Sequence, residues 1–577
     1  MGRSRRFKLL TTILFFGIGL AVLTANRNPA RTYELSIYSS TPVLFWILII
    51  PSILISTFIG LLYKSFQKIT SVVIFVSTSV VYALPLIRGY YFVSEADSLS
   101  HLGIVKSINW GTIDPWNLFY PSTHILSLAI SNILSINIER SMLIVSFIFV
   151  PVFIISITSI IGRISPSDSS IFIGILVGSL MLPITRAGLH FAPNTLARLF
   201  LPIATFPLII QSNRYTKHMA ILSCVLSVGL LFLHPQLFLV YCVFLMGSVV
   251  SMTITNSGSV LSTDKGESHR IILFLISSLL LYVWVNSKPK FIIAVESVTT
   301  SLLFSSPSST SSTSTRIDSL YAVGGSIPEV FVKIYLPSLV LILLSILPIK
   351  KVILSIISKK RGVKDNIDIG ILNIFGGSVG IFMLFVATLA LSTYYMRVFF
   401  ASAAFFTILG GVGLIQLAKN VSKHSRLVIS IVVMLLIILS TFSAYPSPYV
   451  YSANKHVPEA QVQGYSTLLQ NSANDIEFVR VRSAVFRYVH AIEGIQTDYY
   501  KYTGQYRAPT PDHFANQSLS HHYQNPKYLI VTEADRQRDP HAYNGIRYSE
   551  EDFQYLDNSK QIHRIYSNGQ LDGYLIS

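Results

Sequence analysis

Apolar runs near residues 9 to 25, 42 to 63, 70 to 88, 121 to 137, 142 to 162, 171 to 187, 195 to 211, 219 to 234, 236 to 254, 270 to 286, 329 to 349, 369 to 391, 396 to 417 and 427 to 445 take up most of this 577-residue chain. A helix needs about 20 apolar residues to cross a hydrocarbon layer roughly 30 Å thick. Backbone inside that layer must satisfy its own hydrogen bonds, so runs of this kind can only be helices. The chain is 51% hydrophobic and only 12% charged, and the expected fold is an all-α polytopic membrane protein. The first run follows Arg3, Arg5, Arg6 and Lys8 as a signal peptide would, but Ala25-Asn26-Arg27 is a poor cleavage site. It is expected to stay as the first helix.

The formal net charge of +17 does not call for nucleic acid, because Lys and Arg in short loops are the usual topology signal of a membrane protein. Lys350, Lys351, Lys359, Lys360, Arg361 and Lys364 form the clearest cytoplasmic cluster. Lys64 and Lys68, Arg214 and Lys217, Lys265 and Arg270, and Lys419, Lys423 and Arg426 support it. The counts from the two ends agree only if one segment between 121 and 187 fails to cross. The best candidate is 121 to 137, which carries His124, Ser127, Ser131 and Asn132. About 13 crossings then remain, with the N-terminus cytoplasmic and the C-terminus outside. After Tyr445-Pro446-Ser447-Pro448 the apolar pattern stops. Helix-like and strand-like pieces such as 477 to 490, 527 to 532 and 561 to 566 predict a small extracytoplasmic α/β domain over 446–577, with 1–445 as the membrane domain. The connection from Asn286 to Pro328, with its Ser/Thr stretch from Ser305 to Thr315, is either a lid over a site or a plain linker. Cys224 and Cys242 both lie in apolar segments, which argues against a disulfide framework or a thiolate metal site.

Candidate site residues cluster on the outward side. The external loop 89–121 holds Glu95, Asp97, His101, Trp110, Asp114, Trp116 and Tyr120. If Ser94 to His101 is helical, Asp97 and His101 share a face at i and i+4, and an acid beside an imidazole can serve as a general base. Asp97 is the first choice for that base and Glu95 the second, with His101 orienting the carboxylate. A pair of solvated loop residues is the ordinary alternative. The aromatics suit sugar rings, yet Trp and Tyr also form the usual interfacial belt. Arg186, His190, Asn194 and Arg198 form a polar hairpin between two apolar runs, a reasonable phosphate cradle because guanidinium matches phosphate bidentately. Arg397 falls in an outward turn where the topology rule disfavours a cation, so an anion is its expected partner. His234, in His234-Pro235-Gln236, is a possible substrate donor or simply part of a capped turn. No phosphate-binding glycine loop, dinucleotide fingerprint or His-Glu-x-x-His is present.

The order Glu95-Ala96-Asp97, Tyr120-Pro121-x-x-His124, Arg186 with Pro193-Asn194, and an external C-terminal domain resembles archaeal members of the GT-C superfamily. These are polytopic glycosyltransferases that use polyprenyl-phosphate sugars. Within it the chain is similar to the dolichyl-phosphate-mannose mannosyltransferases of archaeal N-glycosylation, over roughly residues 70 to 445. The resemblance implies a polyprenyl or dolichyl monophosphate sugar donor, a glycan or glycoprotein acceptor of the cell surface, contact with membrane lipid, and no metal or other cofactor. It makes Asp97, Glu95 and His101 the catalytic candidates. Arg397, Arg186, Arg198, His124, His190, Asn194, Tyr120 and His234 are then the substrate-binding ones. No Trp-Trp-Asp signature follows residue 445, which disfavours transfer of whole glycans to asparagine. The competing classes are a lipid-linked oligosaccharide flippase and a polysaccharide polymerase or ligase.

Overall fold

The structure is a computed structural model. It describes residues 3–185, 188, 190–211, 216–255, 265–288, 317–360, 369–389, 394–473, 475–504 and 509–577. The Ser/Thr stretch 305–315 and the cations Arg214, Arg361 and Lys364 lie outside the described residues. Within them, ten helices are long and apolar enough to cross a membrane. Three further apolar helices, Ser170–Thr185, Lys217–Leu233 and Gly370–Val386, have 17 residues or fewer, a rise of about 25 Å. The described helices that meet the length and composition of a span are thus ten, against the roughly thirteen crossings expected from the charge pattern. Ser122–Leu134, with 13 residues, is about 20 Å long and too short to cross.

The bundle packs as membrane helices must, by close backbone approach rather than by excluding water. Pro235–Thr255 and Ile369–Leu389 meet at Gly247 and Gly376, where a Cβ added to Gly247 would lie 2.3 Å from the Gly376 carbonyl oxygen. One expected loop cation is not at the surface. Arg270 is fully buried, and donates to Asn373 Oδ1 at 3.0 Å and to the Leu208 carbonyl at 3.2 Å. A charge inside a bundle is stable only with such partners, so Arg270 is a packing residue and contributes nothing to a solvated cytoplasmic patch.

After Lys423–Phe442 the chain leaves the bundle and builds a four-stranded sheet. β3 (Glu477–Arg480) runs parallel to β4 (Lys527–Thr532). β6 (Leu571–Ile576) is antiparallel to β4 and to β5 (Ile562–Ser567). Val479, Val481, Leu529, Val531, Phe553 and Tyr574 form part of a core separate from that of the bundle. Two short strands join this domain to the loop 89–121: β1 (Phe92–Val93) pairs antiparallel with β2 (His456–Val457), and the Ser94 amide donates to the Lys455 carbonyl at 2.7 Å. The loop between the first two long helices is tied down as well, through Tyr33, whose hydroxyl donates to the Asn454 carbonyl at 2.9 Å.

Candidate functional site

Of the stretch Ser94 to His101 expected to be helical, only the part from Asp97 on is helix, within Asp97–Asn109. The turn before it contains Ser94 at φ +82°, a conformation that non-glycine residues adopt only when their surroundings hold them in it. Here the clamp is β1 against β2. Past that turn, Glu95 and Asp97 go to different environments.

Asp97 opens the helix, where a carboxylate is favoured by the helix dipole, and its side chain is 69% exposed. It lines a cavity of about 1000 Å³ at the junction of bundle and sheet domain. His101, Tyr120, His190, Asn194, Arg198, His234 and Arg397 line the same cavity, although they come from separate parts of the chain. Arg186 lies outside the described residues. His124 does not line the cavity but stands behind His101.

Glu95 is not in the cavity. Its side chain is 13% exposed and is enclosed by the sheet domain: Arg538 Nη1 donates to Oε2 at 2.7 Å, Ser483 Oγ to Oε2 at 2.8 Å and Gln461 Nε2 to Oε1 at 2.9 Å. Burial pushes its carboxyl up, but the Arg538 guanidinium and the donated hydrogen bonds outweigh that and hold it below the ordinary carboxylate value. A carboxylate saturated with donors and removed from the cavity is badly placed to take a proton from a substrate. The geometry therefore corrects its expected role, from second-choice base to an interdomain link.

The expected partnership of Asp97 and His101 is also replaced. Asp97 Oδ1 meets Arg487 Nη2 of the sheet domain at 2.6 Å, and His101 Nδ1 meets His124 Nε2 at 3.1 Å. His124 Nδ1 lies 3.1 Å from the Tyr120 carbonyl, which can only accept. The proton on His124 is thereby assigned to Nδ1, and His101 donates from its own Nδ1 to His124 Nε2. Burial, then the neighbouring His124, His190, Arg487 and His234, push His101 well below the usual imidazole value. His101 is thus a neutral hydrogen-bonding group and not a cation paired with Asp97. His190 Nδ1 lies 3.1 Å from Ser98 Oγ, whose own proton goes to the Phe191 carbonyl at 2.8 Å. His234 stacks on Tyr120 with ring centroids 5.5 Å apart, and burial followed by the charges of Arg397 and Arg198 lowers it to about 3.

Cations line the same cavity. Arg198 Nη2 donates to Thr195 Oγ1 at 3.0 Å, and its guanidinium lies over the Phe400 ring at 5.4 Å. Arg397 Nη1 donates to Gln236 Oε1 at 2.9 Å. Lys455, from the first residues of the sheet domain, is a third lining cation. Leu239, Leu281, Val285 and Leu384 supply an apolar stretch of wall. Among the described lining residues, three permanent cations face one carboxylate, a balance that favours an anion beside an apolar group. Of the loop aromatics Tyr90, Phe119 and Tyr120 line the cavity, whereas Trp116 packs against Phe232, Tyr91 donates to Glu139, and Trp110 lies beside Gly494. Among the described residues no three His, Cys, Asp or Glu side chains converge as metal ligands.

Sequence reasoning missed Lys455 and Arg487. Lys455 carries the same signal as Arg397, a cation just past a span on the side expected to face out. Nothing local marks Arg487.

No family model matches the chain, and no curated protein matches it. Among solved structures it is similar to ArnT from Cupriavidus metallidurans bound to undecaprenyl phosphate, at 11% identity and a TM-score of 0.36 over 88% of this chain and 98% of that one. It is also similar to the archaeal oligosaccharyltransferase AglB from Archaeoglobus fulgidus in complex with an inhibitory peptide and a dolichol-phosphate. That likeness has 12% identity and a TM-score of 0.44 over 89% of this chain and 75% of that one.

Proposed function

We propose that the protein is a membrane glycosyltransferase that moves a sugar from a polyprenyl monophosphate to a hydroxyl of a glycan acceptor, at the extracytoplasmic face. The observation that carries this reading is the cavity itself, where an exposed carboxylate, three cations and an apolar wall surround one volume large enough for a lipid phosphate sugar. Each feature matches one demand of the reaction. Asp97 takes the proton of the acceptor hydroxyl. The acceptor oxygen then bonds to the anomeric carbon as the bond from that carbon to the phosphate oxygen breaks. The bonding pair leaves with the phosphate, and Arg397 and Arg198 neutralise the charge it gains. The apolar wall suits the first isoprene units of the lipid. Mannose is the sugar we assign, with cell-surface glycoprotein glycans as acceptors, on the resemblance carried by the loop motifs.

The test is transfer by purified protein in detergent, titrating short-chain polyprenyl-phosphate mannose against a glycan acceptor, with other polyprenyl-phosphate sugars in parallel. Product from one of them is the expected result. No product from any donor, together with movement of a lipid-linked oligosaccharide across vesicles, replaces this reading with the flippase. Orientation is checked separately with Asn471→Cys in a background lacking Cys224 and Cys242. An impermeant thiol reagent should label intact cells, and labelling only after lysis inverts the topology.

A further inference from the structure

The helix Asp97–Asn109 is held along its whole length by the helix Val485–Glu493 of the sheet domain, and the contacts recur every third or fourth residue, as one helix face requires. At one end Arg487 bridges two residues of the first turn: Nη2 reaches Asp97 Oδ1 at 2.6 Å, and Nη1 donates to Ser100 Oγ at 2.8 Å. Ser100 Oγ also lies 2.9 Å from His490 Nδ1. In the middle, Gly103 lies so close to the His490 carbonyl that an added Cβ would stand 2.1 Å from its oxygen. Beyond it, Lys106 Nζ donates to the Ala491 carbonyl at 2.9 Å, and the Ile495 amide donates to Ser107 Oγ at 3.1 Å.

Only one end of this seam opens into the cavity, and that end is the Asp97–Arg487 pair. The side chains of Arg487 and Asp97 are 26% and 69% exposed, and an ion pair that open to solvent contributes little to stability. Its geometry is more informative than its energy. A guanidinium anchored on Ser100, one turn along, holds Asp97 through Oδ1 and leaves Oδ2 for a substrate.

We infer that Arg487 is a positioning residue for Asp97, so that the soluble domain completes the active site rather than merely capping it. This rests on the reading of Asp97 as the base. Bringing a base and a hydroxyl into register contributes steeply to rate, and a misplacement of about 1 Å can cost on the order of 10²-fold.

Single-turnover transfer by the full-length protein separates this role from a structural one, because the rate constant reports the chemistry and the amplitude counts competent molecules. Arg487→Ala should lower the rate constant about 10- to 100-fold with the amplitude, the donor KM and the melting temperature unchanged. Arg487→Lys should recover part of the loss, since an ammonium can pair with Asp97 but cannot also fork to Ser100. Asp97→Asn is the reference. If it is slow while Arg487→Ala keeps the wild-type rate constant, or loses amplitude alone, the positioning role falls and the base assignment stands. If Asp97→Asn itself turns over at the wild-type rate, both fall.

Discussion

Glu95 and Asp97 are separated by a single alanine, yet the sheet domain treats them in opposite ways. It encloses Glu95 among Arg538, Gln461 and Ser483, and it meets Asp97 in an ion pair with Arg487 while leaving most of the side chain open. The strained turn at Ser94, clamped by β1 and β2, sends the two carboxylates to different sides of the loop. Two acids in one short motif can thus divide the work, one holding the domains together and the other available to a substrate. Residue type and spacing alone do not say which does which.

The largest effect separating them is on turnover. Asp97→Asn keeps the shape and removes the proton acceptor, and transfer should fall about 10²- to 10⁴-fold with the protein still inserted and folded. Activity at the wild-type level would remove Asp97 from the mechanism and leave the cavity without a base.

How much of this was legible beforehand depends on the range of the interaction. The crossings follow from runs of apolar residues, a local property, and so do strands such as Lys527–Thr532. The shortness of Ser122–Leu134, with 13 residues, is likewise a local property of its apolar run. His190, Asn194, Arg198, His234 and Arg397 stood out as polar groups where membrane proteins avoid them, and they surround one cavity. Arg487 and Arg538 did not stand out, because arginine in a soluble domain is unremarkable until its partner is known. Glu95 looked as chemical as Asp97 because the group that neutralises it lies near the other end of the chain. Arg270 was placed in a loop on its charge, and the buried Asn373 that receives it is visible only in the packed bundle.

The second effect is on stability and should appear at Glu95. Glu95→Gln leaves Arg538 with Asp535 as its remaining acidic partner, so the apparent loss should lie toward the lower end of the about 3–5 kcal/mol typical of breaking a buried pair. A lowered melting transition and faster proteolysis of the sheet domain are the readouts, and the rate constant of the still-docked fraction should stay near wild type. A collapse of that rate constant with unchanged melting would return Glu95 to the catalytic group.

The smallest expected effect is pH-dependent and separates the two kinds of buried group in this interface. His456 sits in β2 against the Tyr90 ring at 3.9 Å between centroids, with neither ring nitrogen hydrogen-bonded. Burial, helped by Arg88, pushes it down to about 3. The unfolded chain takes up this proton near pH 6.5, and the folded chain does so only near 3. The stabilisation is therefore complete above about pH 6.5 and is lost progressively as pH falls, by about 2 kcal/mol at pH 5. Glu95 behaves differently over the same range. Its carboxyl is held below the ordinary value, so what it contributes is fully present above the usual carboxylate range and is lost only as pH drops through its lowered folded value. Melting curves between pH 7 and 5 should accordingly move down in the wild type and in Glu95→Gln alike, and His456→Phe should make the trend shallower by the share of one group, since His101, His234 and His490 are lowered as well. An unchanged slope in His456→Phe would mean that the acid sensitivity of the interface comes from elsewhere, with His490, lowered to about 4 by burial and then by Arg487, the next group to replace.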